Sequence, residues 1–343
     1  MILLIAITIA IMPFSVQNCS NNASLREWLR SVAANADSAT PGMARDWVYS
    51  AATADFLKTP TLGSIDDLSA ILDGKDVDLL KGSLGVLRGC ENLPAGTIET
   101  AEKLVHHNDE EVRDLALALL AKHSPKRFFA IAPVFYATGN SNDRSWAIGC
   151  AEYLEPSNSL NSLIYMGAFD PDPWVAAYAI GWSEKLTPQY RIPLFVYHLC
   201  RPATYFPKLI SLHFQMEYDL RYEAARMLIR DAHYVESEQI EVIVPVLERI
   251  LKEKNPTAQS GLRIECMGLL AQWGQDKMKW REQLIKKAYS DSAILATEAI
   301  DVISQCLPRA DAAAELLRLS RDSREEIVRD AAKRAMERVL KDD

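Results

Sequence analysis

The 343-residue chain sets 38 basic against 46 acidic side chains, for a formal net charge of −8 and a pI of about 5.4. An acidic chain gains no general attraction to phosphate backbones or anionic lipid, which argues against non-specific nucleic-acid binding. Hydrophobic residues make up 49%, enough for a core, and the length suits either two ordinary domains or one elongated array.

Residues 2–12 form an apolar run broken only by Thr8. Crossing a bilayer takes about 20 such residues. The run stops at Pro13-Phe14 and passes into the polar Gln17-Asn18-Cys19-Ser20, the pattern of a secretory signal. The sequence therefore predicts a signal peptide over residues 1–20 and export to the cell envelope, periplasm or medium. The alternative is a membrane anchor within residues 2–16. Cys19 stands where a lipoprotein carries its acylated cysteine, which gives a second route to a membrane.

The rest is organised around residues 108–123, where an Asp-Glu-Glu start leads into Val112-Arg113 and then small and apolar residues at helical spacing. The pattern returns at Trp47, Leu80, Val112, Trp146, Val175, Leu220, Leu262, Leu295 and Val328. Self-similarity at about 30–45 residues marks a helical solenoid. Four residues after these anchors come Ala51, Leu84, Ala116, Cys150, Ala179, Ala224, Cys266, Ala299 and Ala332. Residues i and i+4 share a helix face, and a small side chain there lets a neighbouring helix approach. The apolar stripe continues at i+7. One helix pair cannot bury such a face alone, so neighbours must stack.

A second helix, A, is predicted before most of these B helices, at 98–106, 127–137, 158–168, 239–252, 279–289 and 310–319. The turns between A and B carry Asn, Asp, Ser and Pro, residues that cap or open a helix.

The B pattern Asp109-Glu110-Glu111-Val112-Arg113-Asp114-Leu115-Ala116, its echo Glu325-Glu326-Ile327-Val328-Arg329-Asp330-Ala331-Ala332, and the prolines in Ile131-Ala132-Pro133-Val134 and Ile243-Val244-Pro245-Val246-Leu247 resemble the HEAT-repeat family. The resemblance covers about residues 40–342. It implies an all-α, right-handed α-α superhelix of about eight to nine helix pairs, here spanning residues 21–343, with B helices lining the concave side. It implies no reaction. Ala147, Ala176 and Ala296 depart from the family's arginine slot, which Arg113, Arg221, Arg263 and Arg329 fill. Those arginines are expected to form an intramolecular ladder to carboxylates and carbonyls of adjacent turns.

The longest step, from Val175 to Leu220, is read as an irregular insertion at 187–216. That stretch holds four prolines and no Asp or Glu, but many aromatic and basic residues. Aromatics and Arg are enriched at interface hot spots. Tyr190, Arg191, Tyr197, Arg201, Tyr205, Phe206 and Lys208, with Trp174 nearby, are therefore the candidate partner-binding residues. The rival reading packs the aromatics in the local core. Trp146 and Trp182 are expected in the core.

No two of the six cysteines form a Cys-x-x-Cys pair, and His198 and Cys200 point to different sides of a helix. No zinc, phosphate-loop or nucleophile-elbow motif occurs. The sequence thus predicts no enzyme, metal or cofactor, but a scaffold for a protein or peptide, with no nucleic acid expected. The alternatives are a HEAT-like DNA glycosylase or bilin lyase, and a purely structural envelope protein. The charge along the B helices separates them. A continuous positive channel would favour nucleic acid, and a mixed or acidic groove a peptide or protein.

Overall fold

The computed structural model describes residues 24–38, 43–211, 214–253 and 260–341. The signal-peptide and anchor segments, and Cys19, lie outside the described residues. No described helix is long and apolar enough to cross a membrane. The chain divides into two compact units, residues 1–136 and 137–343.

Unit 1 holds α1 (Leu25–Ser38), α2 (Met43–Lys58), α3 (Ile65–Ile71), α4 (Val77–Gly89), α5 (Thr97–Leu104), α6 (Glu110–His123) and most of α7 (Pro125–Thr138). The B helices α2, α4 and α6 stack in chain order, with α1 against α2 and α4 and with α5 against α6. The stacking is tight because α4 carries a glycine notch. A Cβ on Gly85 would lie 2.0 Å from the Tyr49 ring, and one on Gly89 would lie 2.3 Å from the Thr53 hydroxyl. Tyr49 fills that notch and donates its hydroxyl to Glu111 on α6 at 3.0 Å.

Unit 2 continues with α8 (Ser141–Gly149), α9 (Asn158–Ala168), α10 (Pro173–Trp182), α11 (Pro188–Cys200), α12 (Leu220–Arg230), α13 (Ser237–Lys252), α14 (Ser260–Trp273), α15 (Lys277–Ala288), α16 (Ala293–Cys306), α17 (Arg309–Asp322) and α18 (Glu326–Lys341). Each odd-numbered helix from α9 to α17 packs on its even-numbered successor, and the even-numbered helices stack on one another in order. This is an α-solenoid. Among the described residues its strands form one antiparallel hairpin, β1 (Tyr205–Ser211) with β2 (Phe214–Asp219), which pairs Phe206 with Tyr218 and shifts register between Leu209 and Ser211.

The repeat pattern fixes the core. Leu84, Ala116, Cys150, Ala179, Ala224, Cys266, Ala299 and Ala332 are all buried. Polar turn residues cap the B helices as their chemistry predicts. Asp109, Asn140 and Asp172 accept the free amides of Val112, Asp143 and Trp174.

Two expectations need correction. Trp47 is 53% exposed, and α2 instead buries Val48, Tyr49, Ala52 and Phe56. The Gly85 notch selects Tyr49 and shifts the register of that helix. Residues 187–216 are also not an irregular insertion throughout. Pro188 opens α11 at a position that needs no amide partner, and Pro193 lies inside the helix as Pro133 and Pro245 do in α7 and α13. Residues 188–200 are therefore the regular A helix of their repeat, and the extra chain is the hairpin.

Candidate partner-binding site

Tyr190, Tyr197 and Arg201 are seven and four residues apart, so they follow one stripe of α11 and its C-terminus. The opposite stripe, Ile192, Phe195 and Leu199, is buried. The outward stripe meets the end of α9. The Phe169 ring lies 4.9 Å from Tyr197 and 6.2 Å from Tyr165, and the Arg201 guanidinium sits 5.6 Å over Tyr197. The Tyr165 hydroxyl donates to the Tyr190 carbonyl at 2.6 Å, tying the two A helices together. Phe169 and Tyr197 each remain 46% exposed. This is an aromatic patch with one cation, and it contains two members, Tyr165 and Phe169, that the sequence reading missed. Their signal was an aromatic pair four residues apart at the end of a predicted helix.

Beneath the patch lies His198, 1% exposed, with its ring 5.6 Å from Phe169 and 5.2 Å from Tyr197. Burial, reinforced by the nearby Arg201 charge, pushes its imidazole down to about 4. It is a neutral support for the patch at physiological pH.

Arg191 must be removed from the candidate surface. Its Nε and Nη2 donate to both oxygens of Asp231 at 2.6 Å, and Nη1 donates to the Leu186 and Glu184 carbonyls. It belongs to the arginine ladder. Arg113, Arg144, Arg191 and Arg329 each donate Nη1 to the carbonyl five residues back, those of Asn108, Gly139, Leu186 and Arg324. Arg144 also grips Asp170 bidentately, and Arg221 grips Asp219 and Glu253. Arg144, Arg191 and Arg221 staple one repeat to the next, while Arg113 and Arg329 bind carbonyls of the turn before their own helix.

Trp174 opens α10 and is 38% exposed. Trp146 and Trp182 are half-buried rather than core. Tyr205, Phe206 and Lys208 lie on β1; their side chains fall outside the described residues.

The B helices of unit 2 carry a feature absent from the candidate set. Three residues after the anchors Leu220, Leu262 and Leu295 come Glu223, Glu265 and Glu298, one on each of α12, α14 and α16, which stack consecutively. Arg226 pairs with Glu223 at 2.6 Å, and the Tyr222 hydroxyl donates to Glu298. Glu265 is 4% exposed. Burial and then the Glu298 charge push its carboxyl well above the usual range, and burial raises Glu298 as well. Asp301, paired with Arg338 at 2.6 Å, adds to the same field. This stretch of the B face is mixed in charge and dominated by carboxylates.

No family model matches the chain, and no curated protein matches it. Among solved structures it is similar to a crystal structure of an engineered protein, at 15% identity and a TM-score of 0.41, over 91% of this chain and 88% of that one. It is also similar to a chain in a homology model of the full-length AP-3 complex in an intermediate open conformation, at 14% identity and a TM-score of 0.46. That match covers 94% of this chain but 58% of the other, so this chain spans little more than half its length.

Proposed function

We propose that the chain is a non-enzymatic, HEAT-like scaffold that binds an extended stretch of a protein or peptide along the B helices of unit 2. The observation that carries this reading is the carboxylate row Glu223, Glu265 and Glu298 on consecutive B helices. A nucleic acid would meet repulsion there, whereas a polypeptide can supply matching cations and amides. The aromatic patch of Phe169, Tyr197 and Arg201 supplies a second contact of hot-spot composition. Export through residues 1–20 belongs to the same proposal and rests on their apolar sequence.

The test presents the chain lacking residues 1–20 with an immobilised library of random dodecapeptides and with single- and double-stranded oligonucleotides. The expected result is peptide binding at micromolar concentration, with no retention of oligonucleotide at 150 mM salt. Oligonucleotide binding whose affinity falls steeply with salt would overturn the reading in favour of a nucleic-acid enzyme.

A further inference from the structure

We propose that the cavity between α13, α14 and α15 receives an acidic peptide segment of the partner, with an apolar side chain inside it and carboxylates at its rim. The inference rests on the reading of the chain as a polypeptide scaffold and adds a contact apart from the glutamate row.

Helices α13 and α15 both pack on α14, and a cavity of about 400 Å³ opens among the three. Part of its lining is apolar. Met267 on α14 is buried, while Leu251 on α13 and Trp280 on α15 are half-buried. Trp280, Gln283 and Lys287 follow one stripe of α15, as Arg263 and Met267 follow one stripe of α14.

The rest of the lining is cationic. Lys252, Arg263, Lys279 and Lys287 stand against one carboxylate, Glu248, a local excess of three positive charges in a chain of net charge −8. None of the four cations forms an ion pair among the described residues. Arg263 gives Nη1 to the Glu253 carbonyl at 3.3 Å, a neutral acceptor that leaves its charge unmatched. The Lys279 ammonium lies 4.7 Å over the Trp280 ring, which orders it and keeps it charged. Helix electrostatics account for Lys252 and Lys287, which lie in the last turns of α13 and α15. They do not account for Lys279, in the first turn of α15, where a cation opposes the dipole. Asp276 accepts the Lys279 amide at 3.2 Å and makes no ion pair with its ammonium.

Apolar surface ringed by unmatched cations fits a ligand with the opposite pattern, an apolar side chain between carboxylates. A nucleic-acid backbone asks instead for a continuous basic track, and these cations gather round a single cavity of side-chain size.

The test uses the full chain and three blocked peptides of Gly and Ser. The first carries a central Phe with two Asp on either side. In the second each Asp is Asn, and in the third the Phe is Ser. Titration calorimetry should show the first binding roughly tenfold more tightly than the second and about threefold more tightly than the third. The double variant Lys279→Gln with Lys287→Gln should weaken the first peptide roughly tenfold, and Trp280→Ala about threefold. Lys286→Gln makes the same charge change in the last turn of α15, on an exposed residue outside the lining, and should leave binding unaltered. Equal binding of the Asn peptide, or a Lys286→Gln variant as weak as the double variant, would overturn the proposal, since the cavity would then not be reading the carboxylates. Self-association of the chain that the double variant abolishes would overturn the assigned occupant in favour of a second copy. Retention of a single-stranded oligonucleotide that the double variant abolishes would overturn the ligand class. Failure of all three peptides at millimolar concentration would also overturn the proposal, and a positive dodecapeptide library would then leave the scaffold reading standing alone.

Discussion

Replacing Arg221 by Met is expected to cost unit 2 about 3–5 kcal/mol. Arg221 is 1% exposed and makes five side-chain hydrogen bonds, three to Asp219 and two to Glu253. Asp219 is 0% exposed and caps α12 by accepting the Arg221 amide at 3.0 Å. Removing the guanidinium therefore strands a fully buried carboxylate at the exit of the hairpin and takes two hydrogen bonds from Glu253 at the end of α13. The double variant Asp219→Asn with Arg221→Met keeps an oxygen for the cap and removes both charges. Chemical denaturation should show the double variant recovering most of the loss. A single variant that loses less than about 1 kcal/mol would mean the pair is solvated in solution, as surface pairs are.

The second large effect is a loss of stability on acidification. The folded-state pKa of His198, pushed down to about 4 from 6.5, means that the unfolded chain takes up a proton first as the pH falls. Stability is complete above about pH 6.5 and is lost progressively toward pH 4. At about 1.4 kcal/mol per pH unit the loss approaches roughly 3 kcal/mol. Glu265 and Glu298 act in the opposite sense, because their raised folded pKa favours the protonated folded state as the pH falls. The diagnostic quantity is therefore the difference between wild type and His198→Leu, measured by urea denaturation from pH 7 to pH 4. The wild type should lose stability relative to the variant across that range, and parallel profiles would show that His198 titrates normally.

Much of this architecture is legible in the sequence because it depends on residues close together in the chain. The small residues at i+4, the capping turns and the A-helix prolines act within one or two helices, so their spacing alone places them. The arginine ladder was also legible for Arg113 and Arg329, whose carbonyl acceptors lie five and six residues back. The failures at Trp47 and Arg191 involve partners a repeat or more away. Trp47-Val48-Tyr49 is apolar at three successive positions, and only Gly85 on the next B helix decides which residue points inward. Arg191 looked like a surface cation because its carboxylate, Asp231, is 40 residues on.

The aromatic patch was half legible for the same reason. Tyr190 and Tyr197 announce themselves on one helix face, whereas Phe169 reaches them from the preceding repeat. The glutamate row could have been found by comparing slots. A lone helical glutamate is ordinarily a solvated side chain, and only the stacking of α12, α14 and α16 buries this one.

The claim beneath all of this is that each helix pair of unit 2 is held by its neighbours rather than by a shared centre. Ala332, at the tight contact of α18, is fully buried. Hydrogen exchange of Ala332→Asp at neutral pH, compared with wild type, tests that claim directly. Amide protection should fall in α17 and α18, weaken in α16, and stay unchanged in α8, α9 and α10. A uniform loss across residues 137–343 would contradict it.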